Sequence, residues 1–406
     1  MDVIKMYRKD MQNLGRKKSA IRELFEYGNR RKQEVGKENV YDFSIGNPSI
    51  PTPKIVTDTL KNLLANMEAT HLHGYTSAAG DLEVRKSIAN YLNKTYHTHV
   101  EANKIYLTAG AAAALTIGFN AILSDGDEVI VFAPFFPEYQ VFVEKAGGKL
   151  KTIESLVDTF LPDIEKLKKS ITKTTKIVLI DSPNNPTGVL LTKDIIQNIA
   201  TVLKEKEKEY GHPIYLMSDE PYRELIYNNE EYPFITNYYD DSIVCYSFSK
   251  SLSLPGERIG YILVSSTCTD ANGLCEAIHG AGRALGFVCA PSIFQYMIPF
   301  CLGYTADINI YKMNRDIFYE SLTKIGYQVT RPDGAFYLFV KALESDAEKF
   351  SKYAMEQYNL LLVPSNSFGY SGYVRISYCV ETAMIQRSIS VFSKLFHDYQ
   401  KGEMNE

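Results

Sequence analysis

"SIVCYSFSKSLSLPGERIGYILV" occupies residues 242–264. Two apolar runs, 242–248 and 260–264, flank a short polar stretch that carries Lys250 and Arg258. Both runs are continuous rather than alternating, which suits strands covered on both faces. A lysine directly after such a strand is unusual, because lysine normally stays at the surface. Similar runs recur upstream: "KIYLT" (104–108), "EVIVF" (128–132), "KIVLI" (176–180) and "PIYLM" (213–217). Between several of them lie segments with apolar residues at helical spacing, at 81–96, 111–123 and 193–210. Strands separated by helices predict an α/β fold, a mostly parallel sheet with helices on both faces. The C-terminal part reads differently. A long helix over about 304–325 precedes "GAFYLFV", "LLLVP" and "YVRISYC", the pattern of a smaller α+β domain. The N-terminal segment is expected to pack with it.

Bulk properties bound the function. The chain has 406 residues, 45% hydrophobic and 23% charged, with a net charge of −4. Two domains are expected at this length, and the overall charge gives no pull toward nucleic acid or a membrane. The six cysteines show no C-x-x-C spacing, so they read as reduced thiols of a cytoplasmic protein. No apolar run is long enough to span a bilayer. Residues 1–32 carry ten Lys or Arg against four Asp or Glu, a local charge of +6. The reading adopted is a solvated helix docked through Ile21, Leu24 and Phe25, rather than a nucleic-acid arm. The "HLH" at 71–73 and "HTH" at 97–99 lack an accompanying carboxylate or cysteine pattern, and no metal site is expected.

In open α/β sheets the ligand sits outside the carboxyl ends of the strands. After 104–108 comes "AGAAAAL", a glycine and small residues opening a helix. After 176–180 comes "DSPNNPTG", after 213–217 "SDEPY", and after 242–248 Lys250. A helix N-terminus binds phosphate, and Ser247 and Arg258 add donors to it. A lysine amine forms a Schiff base with a carbonyl, and Asp219 suits a protonated ring nitrogen. One cofactor combines an aldehyde, a pyridine nitrogen and a phosphate: pyridoxal 5'-phosphate.

These motifs, in this order, resemble the class I/II aminotransferases of the aspartate aminotransferase superfamily, pyridoxal-phosphate fold type I. "IGNPSIPTP" (45–53), "GYTSAAGDLEVRKSIA" (74–89), "NNPTG", "SDEPY", the 247–261 stretch and "RISY" carry the resemblance over nearly the whole chain. It implies a seven-stranded sheet in a large domain, 46–314, and a small domain made of 1–45 and 315–406. It implies that Lys250 holds the cofactor and then shuttles a proton. Asp219 would bond the ring nitrogen, Tyr222 and Asn185 the phenolic oxygen, and Phe136 would stack on the ring. Gly110, Ala111, Ala112, Ser247 and Arg258 would cradle the phosphate. Arg375 would clamp the substrate carboxylate, with Gly46 and Asn185 nearby. Tyr75 would reach the phosphate of a neighbouring subunit in a homodimer.

The implied activity is ping-pong transfer of an amino group between an L-amino acid and a 2-oxo acid. A C–S β-lyase or a related synthase uses the same cofactor contacts and is the alternative. A cofactor-sensing regulator is a more distant one, since only 40 residues precede "YDFSIGNP", too few for an added DNA-binding domain. An aspartate- or glutamate-type substrate would call for a second arginine. Arg283 is the candidate, and its other reading is an ordinary helix-surface residue.

Overall fold

The strands form because their residues are β-branched or aromatic and can be buried on both sides. A computed structural model describes residues 6–16, 20–228 and 230–403. In chain order the main strands are β1 (Ile105–Thr108), β2 (Glu128–Ala133), β3 (Lys149–Glu154), β4 (Thr175–Asp181), β5 (Tyr215–Asp219), β6 (Ser242–Ser247) and β7 (Gly260–Val264). They make one sheet in the order β1-β7-β6-β5-β4-β2-β3. All neighbours are parallel except those of β7, which runs antiparallel to both β1 and β6. This is the mostly parallel sheet that the sequence predicts.

Alternation along each strand serves two helix layers at once. Ile177 and Leu179 of β4, Met217 of β5 and Ile243 of β6 pack on the side of helices Ala111–Ile122 and Ala271–Leu285. Val178, Ile180, Leu216 and Val244 pack on the other side, against helices Leu82–Tyr96, Lys193–Tyr210 and Ser292–Cys301. Caps fix where these helices begin. The Asp81 carboxylate accepts from the N–H groups of Glu83 and Val84, and the Thr192 hydroxyl from Ile195 N–H. β3 is the strand that the apolar-run criterion does not find. It lies at the sheet edge, and its residues Lys149, Lys151 and Glu154 leave it largely exposed.

Beyond the helix Ile308–Ile325, strands β8 (Val329–Thr330), β9 (Tyr337–Lys341), β10 (Val363–Pro364) and β11 (Tyr373–Ser377) form an antiparallel sheet in the order β10-β11-β9-β8. The N-terminal segment joins this part: Tyr41–Asp42 pairs in parallel with Leu360–Leu361. The helix Ala20–Val35 packs Leu24 and Ile21 against Val40, Leu361 and Phe368. Phe25, expected to dock with them, is exposed instead. The buried stripe runs through positions 24 and 28, and Phe25 falls off its edge. Lys5, Lys17 and Lys18 of the basic arm lie outside the described residues. All six cysteines are free thiols. No helix among the described residues is long and apolar enough to cross a membrane.

Candidate active site

The carboxyl ends of β4, β5 and β6 open onto a cavity of about 290 Å3. Strand alternation puts Asp181, Asp219 and Ser247 on one face there, in line with Leu179, Met217 and Cys245. Ser247 caps the single turn Phe248–Ser251, its hydroxyl accepting from Ser249 N–H at 3.2 Å. That turn carries Lys250 to the cavity, where Nζ donates to the carbonyl of Gly46 at 2.8 Å. Burial lowers the pKa of Lys250 to about 8; Cys379 opposes the shift, and Arg258 and Arg375 add to it.

Asp219 is buried. Its Oδ2 accepts a hydrogen bond from the Tyr139 hydroxyl at 2.7 Å, and its Oδ1 has no partner. Burial raises its pKa, and the neighbouring Glu220 raises it further. Phe136 lines the same cavity and meets Tyr139 edge-on, ring centroids 5.5 Å apart. The Tyr222 hydroxyl shares a 2.8 Å hydrogen bond with that of Tyr337.

On another side of the cavity, Ala111 and Ala112 open the helix Ala111–Ile122. Gly110 precedes them at φ 83°, and a Cβ there would sit 2.8 Å from Arg258 Nη2. Glycine therefore serves both the turn and the approach of the guanidinium. Arg258 is tethered by Nη1 to Pro255 O and by Nη2 to Ala109 O. The first turn of this helix, a guanidinium and the hydroxyl-bearing Ser247 and Ser249 thus line the same cavity, a set of donors suited to an anion.

Arg375 lies in β11 and is 2% exposed. Nη1 donates to Asn185 Oδ1 at 3.0 Å and Nη2 to Ser44 O at 2.6 Å, while Nε has no partner. Its charge faces no carboxylate through these bonds, and burial lowers its pKa. The Tyr337 ring lies 4.5 Å from its guanidinium carbon. Gly46 closes the corner, and a Cβ on it would fall 1.9 Å from the Tyr337 hydroxyl.

Eleven of the thirteen residues expected from the sequence thus line one cavity, with Gly110 immediately behind its rim. Tyr75, expected to reach a neighbouring subunit rather than this cavity, is 98% exposed at the surface. Arg283 is also exposed, at the end of the helix Ala271–Leu285, outside the cavity. Four further residues belong to the site: Asp181, Tyr139, Ser249 and Tyr337. Asp181 carried a visible signal, a carboxylate ending a strand as Asp219 does. Tyr139 stands three residues after Phe136, at helical spacing. Tyr337 carried none, since a tyrosine in an apolar strand usually reads as core.

Residues 38–392 match the family described as aminotransferase class I and II. The chain belongs to this family. It is 32% identical over 390 residues to a probable aspartate aminotransferase of Methanocaldococcus jannaschii, covering 94% of this chain and 97% of that one. An aminotransferase structure from Eubacterium rectale superposes with a TM-score of 0.95 at 52% identity, over 97% of this chain and 99% of the other. An aspartate aminotransferase structure from Thermotoga maritima gives a TM-score of 0.85 at 28% identity, over 96% of this chain and all of the other. The protein is therefore a transferase enzyme, an aminotransferase. Enzymes of this family use pyridoxal phosphate, and the cavity has the chemistry to receive it. An aminotransferase needs an acceptor for a ring nitrogen, and Asp219 Oδ1 is a buried acceptor with none of its own bonds made. It needs an anion corner and an amine, and both open on the same space.

Proposed function

We propose that this aminotransferase binds pyridoxal phosphate through Lys250 and exchanges amino groups between L-amino acids of the aspartate or glutamate type and 2-oxo acids. The observation that carries the reading is the shared cavity itself: a half-buried amine of depressed pKa and the residue bearing an unpartnered carboxylate oxygen line the same space. The cofactor, when bound, supplies an electrophilic carbonyl and a ring that stabilises negative charge at the substrate Cα. Asp219 Oδ1, buried and unpartnered, would accept the proton-bearing ring nitrogen. Tyr222 and Asn185, which line the same cavity, would hydrogen-bond the phenolic oxygen. Asn185 Oδ1 is engaged by Arg375, which turns its Nδ2 donors the other way. Phe136 supplies the stacking face. Gly110, Ala111 and Ala112, with Ser247 and Arg258, hold the phosphate. Arg375 offers its fork to the α-carboxylate beside Gly46. Lys250 Nζ carries the proton from the substrate Cα, and a pKa of about 8 keeps a useful fraction of it basic near neutrality.

The acidic substrate class is supported by relatives that bear the name aspartate aminotransferase. A side-chain carboxylate needs a second cation, and Arg283 lies outside this chain's cavity. The second copy of a homodimer is the proposed source. Exposed Tyr75, Leu285, Phe287 and Val288 are the surface such a copy would cover. These segments adjoin, since Cys289 N–H bonds to Ala78 O. The molecule is proposed to work as a large domain (46–314) and a small one (1–45 with 315–406), in the cytoplasm.

One experiment tests the function. Loaded enzyme is mixed with an amino-acid panel without any 2-oxo acid. A single equivalent of 2-oxo acid per site, then arrest, with aspartate and glutamate fastest, is expected. Continuous release of 2-oxo acid and ammonia would replace the transferase by a lyase.

A further inference from the structure

Asp181 takes no part in the reading above, yet it stands directly beside Asp219. The two residues end adjacent parallel strands and are register partners. Register partners in a ladder project to the same face, so two carboxyl groups lie side by side on the cavity floor. Both are more than nine-tenths buried, at 8% and 5% exposure, and each leaves its Oδ1 without a hydrogen-bond partner. Their remaining oxygens differ. Asp219 Oδ2 receives a hydroxyl proton from Tyr139 at 2.7 Å, and Asp181 Oδ2 receives the backbone N–H of Asn185 at 2.9 Å.

Two like charges this close and this buried cannot both form at ordinary cost. We propose that Asp181 and Asp219 share one proton, which rests on Asp181 and leaves Asp219 as the charged member of the pair. Asp181 is then a positioning residue. Its neutral carboxyl allows Asp219 to present negative charge to the cavity without a second anion beside it.

The surrounding groups are consistent with that division. Tyr139 reaches the pair from the helix Glu138–Lys145, and Glu220 and Cys245 adjoin Asp219 from the strands. Tyr222 lies in the turn after β5, and Tyr337 and Arg375 face inward from the small sheet. Lys250 and Arg258 border the cavity. Among the described residues no cation bonds to Asp181: its neighbour Asn185 stands between it and Arg375. Burial first, and then the charge of Asp219, push the pKa of Asp181 upward.

The role in catalysis rests on the proposed function, but the proton sharing is measurable without it. The full chain, stripped of cofactor, is compared with Asp181→Asn by thermal unfolding from pH 5 to pH 8. A carboxyl whose folded pKa is raised loses folding stability as pH climbs above its unfolded value. Asn cannot make that loss. The Tm advantage of D181N should therefore widen by about 2 °C or more over this range. In an Asp219→Asn background the widening should shrink measurably but not vanish, because the Asp219 charge is gone while the burial of Asp181 remains. An advantage that stays constant with pH, or that widens equally in the D219N background, would overturn the proposal. Asp181→Ser provides the same comparison if D181N does not fold.

Discussion

Arg223 and Arg375 are both buried, and they are buried in opposite ways. The Arg223 side chain, 1% exposed, binds Glu220 Oε2 at 3.0 Å, Glu224 Oε1 at 3.3 Å and the Tyr261 hydroxyl at 2.9 Å. The Tyr246 ring lies 4.1 Å from its guanidinium carbon. Its charge and donors are met from within the protein, so its part is structural. Arg375 has neutral oxygens for partners and an unpaired Nε. A buried cation left in that state costs folding energy, and on the proposed function the missing anion is the one a substrate carboxylate would bring. The same residue type thus serves scaffold or site according to whether its charge is already answered.

The comparison can be broken at either residue. Arg223→Ala strands Glu220 and Glu224, and removing one partner of a buried ion pair costs about 3–5 kcal/mol. Denaturant unfolding should show that loss, while KM of whatever active protein remains stays near wild type. Arg375→Ala should do the reverse: kcat/KM for amino donors falls about 100-fold, roughly 2.7 kcal/mol, with little change in unfolding midpoint. If R375A unfolded like R223A with unaltered KM, the distinction would be lost.

Lys250 sharpens the same point for an amine. Its folded pKa, about 8, lies below the ordinary 10.5. A depressed lysine pKa lowers stability fully below the folded value, and the penalty fades as pH rises to the unfolded value. Cofactor-free Lys250→Met should melt about 2 °C above wild type at pH 7, and the gap should close between pH 8 and 10.5. A gap independent of pH would mean that Lys250 is not held against its proton. The smallest expected effect is at Tyr337. Tyr337→Phe removes one hydroxyl bond to Tyr222, worth about 1 kcal/mol. It should also relieve Gly46→Ala, whose Cβ would collide with that hydroxyl. The double variant outperforming G46A alone in turnover is the check.

Much of this was legible because function sits at strand ends. Lys250, Asp219 and the "NNPTG" turn each follow an apolar run, where a polar residue breaks a simple pattern. Six of the seven large-sheet strands stand out for the same reason. The edge strand β3 hid because its charged residues face solvent. Asp181 and Tyr139 offered local hints, a carboxylate ending a strand and an aromatic three residues after Phe136, but not their partners. Their meaning lies in register and in a hydroxyl-to-carboxylate bond between residues 80 positions apart, and no local window contains both. Phe25 was misjudged because helical spacing gives a stripe and not its edges.

Every role assigned to the cavity depends on which amine receives the cofactor. Protein saturated with pyridoxal phosphate, reduced with borohydride and mapped by peptide mass spectrometry answers this directly. The account predicts one pyridoxyl group per chain, on Lys250. A colourless protein, or a label distributed over other lysines with residue 250 unmodified, would contradict it.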